Sequence, residues 1–116
     1  MDSTTLTGST TTGDWEDIDS VAMLASEKRV VKMTIKAEEA GGDNVFGTMV
    51  MRTFFRTATD NVVAVGPLNA VYREMTLPGL DVRIVEDYDP AVLGYKLQAK
   101  GKAGMTFNWT AFVEYL

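Results

Sequence analysis

Three stretches of the sequence hold residue types that could carry out chemistry. Four carboxylates lie within positions 14–19, and two more flank Tyr88 in Asp87-Tyr88-Asp89. Hard cations such as Ca²⁺ take about six to eight oxygen ligands, but neither stretch has the spacing of a calcium loop with its distant Glu. Gly101-Lys102-Ala103-Gly104 lacks the frame of a phosphate-binding loop. We therefore interpret the three stretches as a solvated acidic segment, a turn at a strand end and a hairpin turn.

The composition excludes many kinds of active site. The chain of 116 residues has no His and no Cys, which rules out imidazole bases, thiolate nucleophiles, disulfides and zinc sites of the Cys/His type. Its net charge of −5 argues against nucleic-acid binding. It has no apolar run long enough to predict a membrane span, and its polar, acidic start is unlike a signal peptide. We expect a protein that is not an enzyme, has no catalytic, cofactor or metal site, and binds neither nucleic acid nor membrane.

The first 19 residues differ in composition from the rest. Residues 1–27 hold six of the 16 acidic residues and none of the 11 basic ones, and six of the first 14 residues are Thr. A segment this polar buries too little apolar surface to offset the entropy of ordering it. We therefore predict a flexible, acidic, Ser/Thr/Gly-rich arm over residues 1–19. It is either a disordered terminus or an arm that orders on a neighbouring subunit, anchored by Trp15 and Ile18.

From residue 29 onward the chain has the pattern of β-strands, whereas residues 20–27 could form a short helix or a first strand, of which we favour the strand. In residues 29–37, apolar and polar residues alternate, with Val31, Met33, Ile35 and Ala37 on one face. Similar runs follow at about 45–57, 62–65, 70–77, 81–87 and 93–99, separated by turn residues. This pattern predicts an all-β domain over residues 20–116, an antiparallel β-sandwich or jelly-roll-like barrel of about seven to eight strands.

Two arginines and an aromatic ring share one face of the second predicted strand. Arg52, Phe54 and Arg56 are spaced two residues apart, and Phe55 interrupts the alternation beside them. The arginines could form a solvent-exposed face that protects a sheet edge. They could instead pair with the acidic segment of another chain, or contact nucleic acid with the aromatic ring between them.

The last predicted strand is long and rich in aromatic residues. One face carries Met105, Phe107, Trp109, Ala111, Val113 and Tyr115, and Phe112 is the apolar exception on the other face. Twelve residues span about 40 Å at the usual rise of a strand. On so small a body we expect this strand to overhang its own sheet, and the overhang would have to be covered by a partner.

The two ends of the sequence resemble a known type of module. A Ser/Thr/Gly-rich acidic start precedes the strand at 29–37, and near the other end Trp109, Ala111, Val113 and Glu114 follow the pattern apolar-x-Trp-x-Ala-x-Val-Glu. This resembles the small all-β modules of tailed-bacteriophage virion structural proteins, which occur in capsid decoration (cement) proteins and in tail-fibre or tailspike parts. The resemblance implies action by protein–protein contact, often as a trimer, without catalytic residues.

Residues and resemblance together predict a non-enzymatic structural protein of the phage virion, assembled in the host cytoplasm. The favoured interpretation is a capsid decoration protein that stabilises the shell; the alternative is a tail-associated module that binds carbohydrate or a receptor. We expect a homo-oligomer, a trimer before other states, that contacts the major capsid protein or another virion protein. The candidate contact residues are Asp14, Trp15, Glu16, Asp17, Ile18, Arg52, Phe54, Phe55, Arg56, Trp109 and Phe112.

Overall fold

The computed structural model describes residues 2–116, and within them the chain forms nine strands and no helix. The strands are β1 Asp2–Thr10, β2 Trp15–Ala22, β3 Lys28–Glu39, β4 Val45–Arg56, β5 Val62–Ala64, β6 Asn69–Met75, β7 Asp81–Asp87, β8 Gly94–Lys100 and β9 Phe107–Tyr115. The larger sheet has the order β1-β9-β3-β4-β5, with β6 also paired to β4, and the smaller sheet has the order β2-β8-β7. All pairs are antiparallel. The predicted all-β, sandwich-like fold is confirmed.

The core lies between the two sheets because each long strand turns alternate residues inward. β3 buries the four apolar residues that the sequence assigns to one face, and β7 buries Val82 and Ile84. β8 and β9 add larger side chains to the same cluster: Tyr95, Leu97, Ala99, Phe107, Trp109, Ala111 and Val113. The period-two pattern therefore identifies the inward faces of the central strands correctly.

Residues 2–19 contribute strands to both sheets. β1 pairs with β9 over its whole length, and β2 pairs with β8. Leu6 and Thr10 are buried, and Trp109 Nε1–H donates a hydrogen bond to Thr10 Oγ1 at 2.9 Å. The expected flexible arm is therefore wrong for residues 2–19, because β-branched Thr suits a strand and the edge of β9 supplies hydrogen bonds that the segment lacks alone. Met1 lies outside the described residues.

β9 lies inside the larger sheet and does not overhang it. It pairs with β1 on one side and with β3 on the other. The overhang occurs instead at β6, where every residue is exposed. The expectation of an uncovered strand is therefore corrected in position: β1 covers the edge of β9 that the sequence leaves open, whereas β6 is exposed along its whole length.

The other edge strands are short or contact other parts of the chain. β5 has three residues. β1 lies close against β2, since a Cβ built at Gly8 would meet Ile18 Cγ2 at 2.9 Å. At β7, Arg52 Nη1 donates to the Ile84 carbonyl at 2.8 Å and ties β4 to the smaller sheet. Among the strands of residues 2–116, β6 is therefore the edge strand whose residues are all exposed.

Candidate interaction surface

β6 combines a free strand edge with exposed apolar side chains. It pairs with β4 along one edge, and no strand of the described chain pairs with its other edge. Val71 is 60% exposed, Tyr72 46% and Met75 38%. A free edge presents unpaired backbone N–H and C=O groups, which are a template for another strand. β6 therefore offers backbone hydrogen bonds and apolar surface in one place.

An open groove of about 890 Å³ lies beside β6. Gly47 of β4 lines the groove between Lys36 of β3 and Glu74 of β6, its direct neighbours in the strand register. A Cβ at Gly47 would meet no atom within 4 Å, so the glycine leaves a gap in the face of the sheet. Tyr72 and Arg73 also line the groove, which therefore combines an exposed aromatic ring with two positive side chains and one negative side chain.

A row of directly paired residues extends from the groove across the outward face of the larger sheet. It consists of Thr5 of β1, Phe112 of β9, Thr34 of β3, Met49 of β4 and Tyr72 of β6. Directly paired residues of neighbouring strands place their side chains on the same face, and Phe112 is 45% exposed there.

The carboxylate of Glu16 closes the turn between β1 and β2. Glu16 Oε2 accepts hydrogen bonds from the backbone N–H groups of Thr11 at 3.0 Å and Thr12 at 3.2 Å. Burial alone raises the pKa of Glu16, but these bonds outweigh it and hold the pKa below its ordinary value. Asp14 is exposed and its backbone N–H donates to the Thr12 hydroxyl at 3.2 Å, while Ile18 packs against the core. This segment is therefore fixed by contacts within its own chain.

Asp17 and Trp15 are held against neighbouring strands. Asp17 accepts a hydrogen bond from Gln98 Nε2 at 2.7 Å and pairs with Lys96 Nζ at 3.3 Å. The Gln98 hydrogen bond, and after it Lys96, lowers the pKa of Asp17. The guanidinium of Arg83 lies 4.2 Å from the centroid of the Trp15 ring. These predicted contact residues thus have partners within the chain.

The shared face of Arg52, Phe54 and Arg56 turns inward. Phe54 is buried and stacks on Tyr95, with the ring centroids 5.2 Å apart. Phe55, on the opposite face, is half-buried. The predicted spacing is therefore correct, but the fold removes the Phe54 ring from contact with a partner.

The two arginines reach backbone carbonyl groups. Arg52 bonds the Ile84 carbonyl, and the Arg56 guanidinium donates to the Met23 carbonyl. Arg56 Nε is buried without a hydrogen-bond partner among the described atoms. Both arginines therefore tie chain segments together at one end of the sandwich, where the sequence suggested an outward basic face as one option.

Of the two aromatic candidates in β9, only Phe112 is exposed. Trp109 is buried and meets the Phe46 ring edge to face at 5.7 Å, so it belongs to the core. Val71 and Tyr72 are not among the predicted contact residues. The signal that could have identified them is their adjacency: consecutive residues of a strand point to opposite faces, so one core cannot bury both.

The remaining acidic cluster stabilises a turn. Asp87 accepts hydrogen bonds from the Ser20 hydroxyl at 2.6 Å and the Asp89 backbone N–H at 3.0 Å, and Asp89 accepts one from the Ala91 N–H at 2.9 Å. Within residues 2–116, no group of three or more His, Cys, Asp or Glu side chains could hold a metal ion. The same residues include no helix long and apolar enough to cross a membrane.

Comparison with known proteins shows a likeness of fold. No family model matches the chain, and no curated protein matches its sequence. The fold is similar to part of the crystal structure of the tailspike protein of Acinetobacter phage vB_ApiP_P1, with a TM-score of 0.56 and 10% sequence identity. The similarity covers 98% of this chain and 21% of the tailspike chain. The chain therefore spans about a fifth of the tailspike and has a β fold that also occurs in that phage protein.

Proposed function

We propose that this chain is a non-enzymatic structural module of a tailed-phage virion, that it is located in the tail, and that it acts by protein–protein contact. The fold likeness supports this proposal because it covers 98% of the chain and involves a phage tailspike. It favours the tail over the capsid decoration role that the sequence analysis puts first. The chain would then correspond to one β module of a larger assembly, built in the host cytoplasm with the other virion proteins.

The exposed β6 strand is the observation that carries the contact function. Its seven residues are all exposed, and they include three large apolar side chains. Soluble β proteins usually protect such an edge with charges, proline or a covering element. An apolar strand left open in this way marks a site where another protein binds.

Immunogold electron microscopy tests the location. Antibodies raised against the purified chain would be applied to phage particles that carry its gene, with particles from a strain in which the gene is disrupted as the control. We expect gold at the tail of intact particles and none on the control. Gold over the head shell would contradict the tail location and favour the decoration role. Particles without gold, from a lysate in which the protein is detected, would overturn the virion role.

A second candidate function, carbohydrate binding at the tail, is favoured by Tyr72 beside the groove. Exposed aromatic rings with polar neighbours are typical of sites that bind polar ligands with apolar faces. Calorimetric titration of purified host surface polysaccharide into the protein would measure binding. We expect Tyr72→Ala to abolish it and Tyr88→Ala to retain it, since Tyr88 is an exposed tyrosine that does not line the groove. No heat of binding with the unmodified protein would exclude this candidate for that polysaccharide.

A further inference from the structure

We propose that β6 joins β6 of a second copy of this chain, edge to edge and antiparallel, so that the larger sheet continues from one copy into the other. The inference rests on the proposed contact function and names the partner. A strand added to a free sheet edge gains backbone hydrogen bonds along its length, and its side chains select the partner. A second copy supplies a strand of matching length and composition.

β6 has the features that allow such pairing. Its sequence, Asn-Ala-Val-Tyr-Arg-Glu-Met, contains no Pro and no Lys, the residues that most often protect an edge. Its charges are one Arg and one Glu, so β6 has no net charge that would repel another copy. The other edge strands described above are short or contact other parts of the chain. β6 has one irregularity, a bulge at Val71 between the pairs Met49–Tyr72 and Val50–Ala70, and bulges also protect edges. A second copy can therefore pair regularly with the part of β6 that follows the bulge, Tyr72 to Met75.

The side chains favour one register, with Arg73 opposite Arg73 of the second copy. This register places Val71 opposite Met75 and Tyr72 opposite Glu74 across the seam, which pairs apolar with apolar and a hydroxyl with a carboxylate. Each Arg73 keeps its own counter-ion, because its Nη2 lies 2.5 Å from Asp81 Oδ1. A shift that centres the pair on Glu74 would oppose two carboxylates for which the described chain provides no ion pair.

A strand that pairs with itself closes at two copies, because the contact is isologous. The inference therefore specifies a two-fold dimer in place of the trimer implied by the resemblance. The seven residues of β6 extend over roughly 23 Å, and one strand pair buries less than the ~800 Å² per partner of a standard interface. We expect a reversible dimer with a Kd on the order of micromolar or weaker.

Two charge variants test whether Val71 and Met75 lie in the seam between the copies. The first carries Val71→Lys and Met75→Lys, and the second carries Val71→Glu and Met75→Glu. The matched control carries Leu24→Lys and Leu116→Lys, which adds the same charge at side chains that are 73% and 79% exposed and lie outside β6. Circular dichroism and thermal melting would establish that each variant folds. Analytical ultracentrifugation over a concentration series would measure association.

We expect the unmodified chain and the control to form dimers with similar Kd values. Each charge variant alone should dimerise at least ~100-fold more weakly, because two like-charged pairs then face each other. An equimolar mixture of the two variants should form a one-to-one heterodimer, since Val71→Lys of one copy then faces Met75→Glu of the other, and Met75→Lys faces Val71→Glu. This restoration requires that Val71 and Met75 of the two copies face each other across the contact, as they do in the register centred on Arg73.

Three outcomes would overturn the inference: an unmodified chain that stays monomeric or forms a trimer, a Lys variant that dimerises like the unmodified chain, or a mixture that does not form a heterodimer. The virion experiment is independent of all three. Tail labelling together with a monomeric or trimeric chain would reject the β6 seam and leave the proposed function in place. A β6 dimer together with unlabelled particles would support the seam and reject the virion role.

Discussion

Replacing Thr10 by Val tests whether β1 is part of the folded core. Thr10 is fully buried and accepts the Nε1–H bond of Trp109, which is 1% exposed. Valine has nearly the volume of threonine, but its methyl group cannot accept a hydrogen bond. The substitution therefore leaves the indole N–H buried without a partner while the packing stays almost unchanged.

The expected cost follows from the burial of this bond. A buried donor that loses its only partner costs about 1–3 kcal/mol of the free energy of unfolding. Thr10→Ser is the matched control, since it keeps the hydroxyl and removes one methyl group, worth about 0.8 kcal/mol. We therefore expect Thr10→Val to destabilise the protein more than Thr10→Ser, even though serine is the smaller residue.

Urea unfolding, followed by tryptophan fluorescence, measures the free energy of unfolding of the Thr10→Val and Thr10→Ser variants. For a domain near this size, 1 kcal/mol corresponds to a shift of about 4 °C in Tm, so the Val variant should melt ~4–12 °C lower than the unmodified chain. A loss below ~0.5 kcal/mol for Thr10→Val would refute the reasoning. It would mean that β1 separates readily from β9, as the flexible arm expected from the composition would do.

Three further predictions concern the same framework. Gly94→Ala should destabilise the fold by ~2 kcal/mol or more, because a Cβ at this position would overlap the backbone of β2. Gly47→Ala should be neutral or slightly stabilising, because a Cβ there would meet open space. Chemical denaturation of the two variants compares their free energies of unfolding. Because the pKa of Asp17 is lowered in the folded state by Gln98, its contribution is present above the unfolded pKa of about 4 and is lost as the pH falls through the folded value. Melting curves of Asp17→Asn and the unmodified chain should therefore differ at pH 7 and converge near pH 2. Deleting residues 1–14 should lower the Tm by more than 10 °C or abolish cooperative unfolding, and an unchanged melt would restore the flexible-arm interpretation.

The central strands could be predicted because their signal is local and strong. β3 alternates apolar and polar residues without interruption, and its inward residues Val31, Met33 and Ile35 are buried as the pattern predicts. β9 shows the same regularity around Trp109, and it correctly separates Phe112 from the inward face. Where a strand lies between two others and one of its faces covers the core, a shift of one residue would expose the whole apolar set. The alternation of apolar and polar residues in such strands is therefore strict enough to be predicted from the sequence.

The peripheral strands could not be predicted in the same way. β1 has one large apolar residue, Leu6, so hydrophobic periodicity gives no signal there, and its partner β9 lies about a hundred residues away in sequence. Strand pairing at that separation depends on which edges the rest of the fold leaves open. The inward arginines of β4 are a second example, since their charge suggests solvent while their reach to the Ile84 and Met23 carbonyls is visible only in three dimensions.

The hydrogen bonds within the chain explain why the candidate contact site is β6 and not the acidic segment that the sequence analysis proposes. The carboxylates of Glu16 and Asp17 already accept hydrogen bonds from Thr11, Thr12 and Gln98. A partner that used them would have to replace those bonds, and a polar group left unpaired in the exchange costs more than a typical bond gains. The free edge of β6 bonds no other strand of the described chain, so a second strand replaces only solvent there and covers the exposed Val71 side chain at the same time. Association at β6 therefore adds hydrogen bonds and apolar burial without disturbing the contacts that hold the sandwich together.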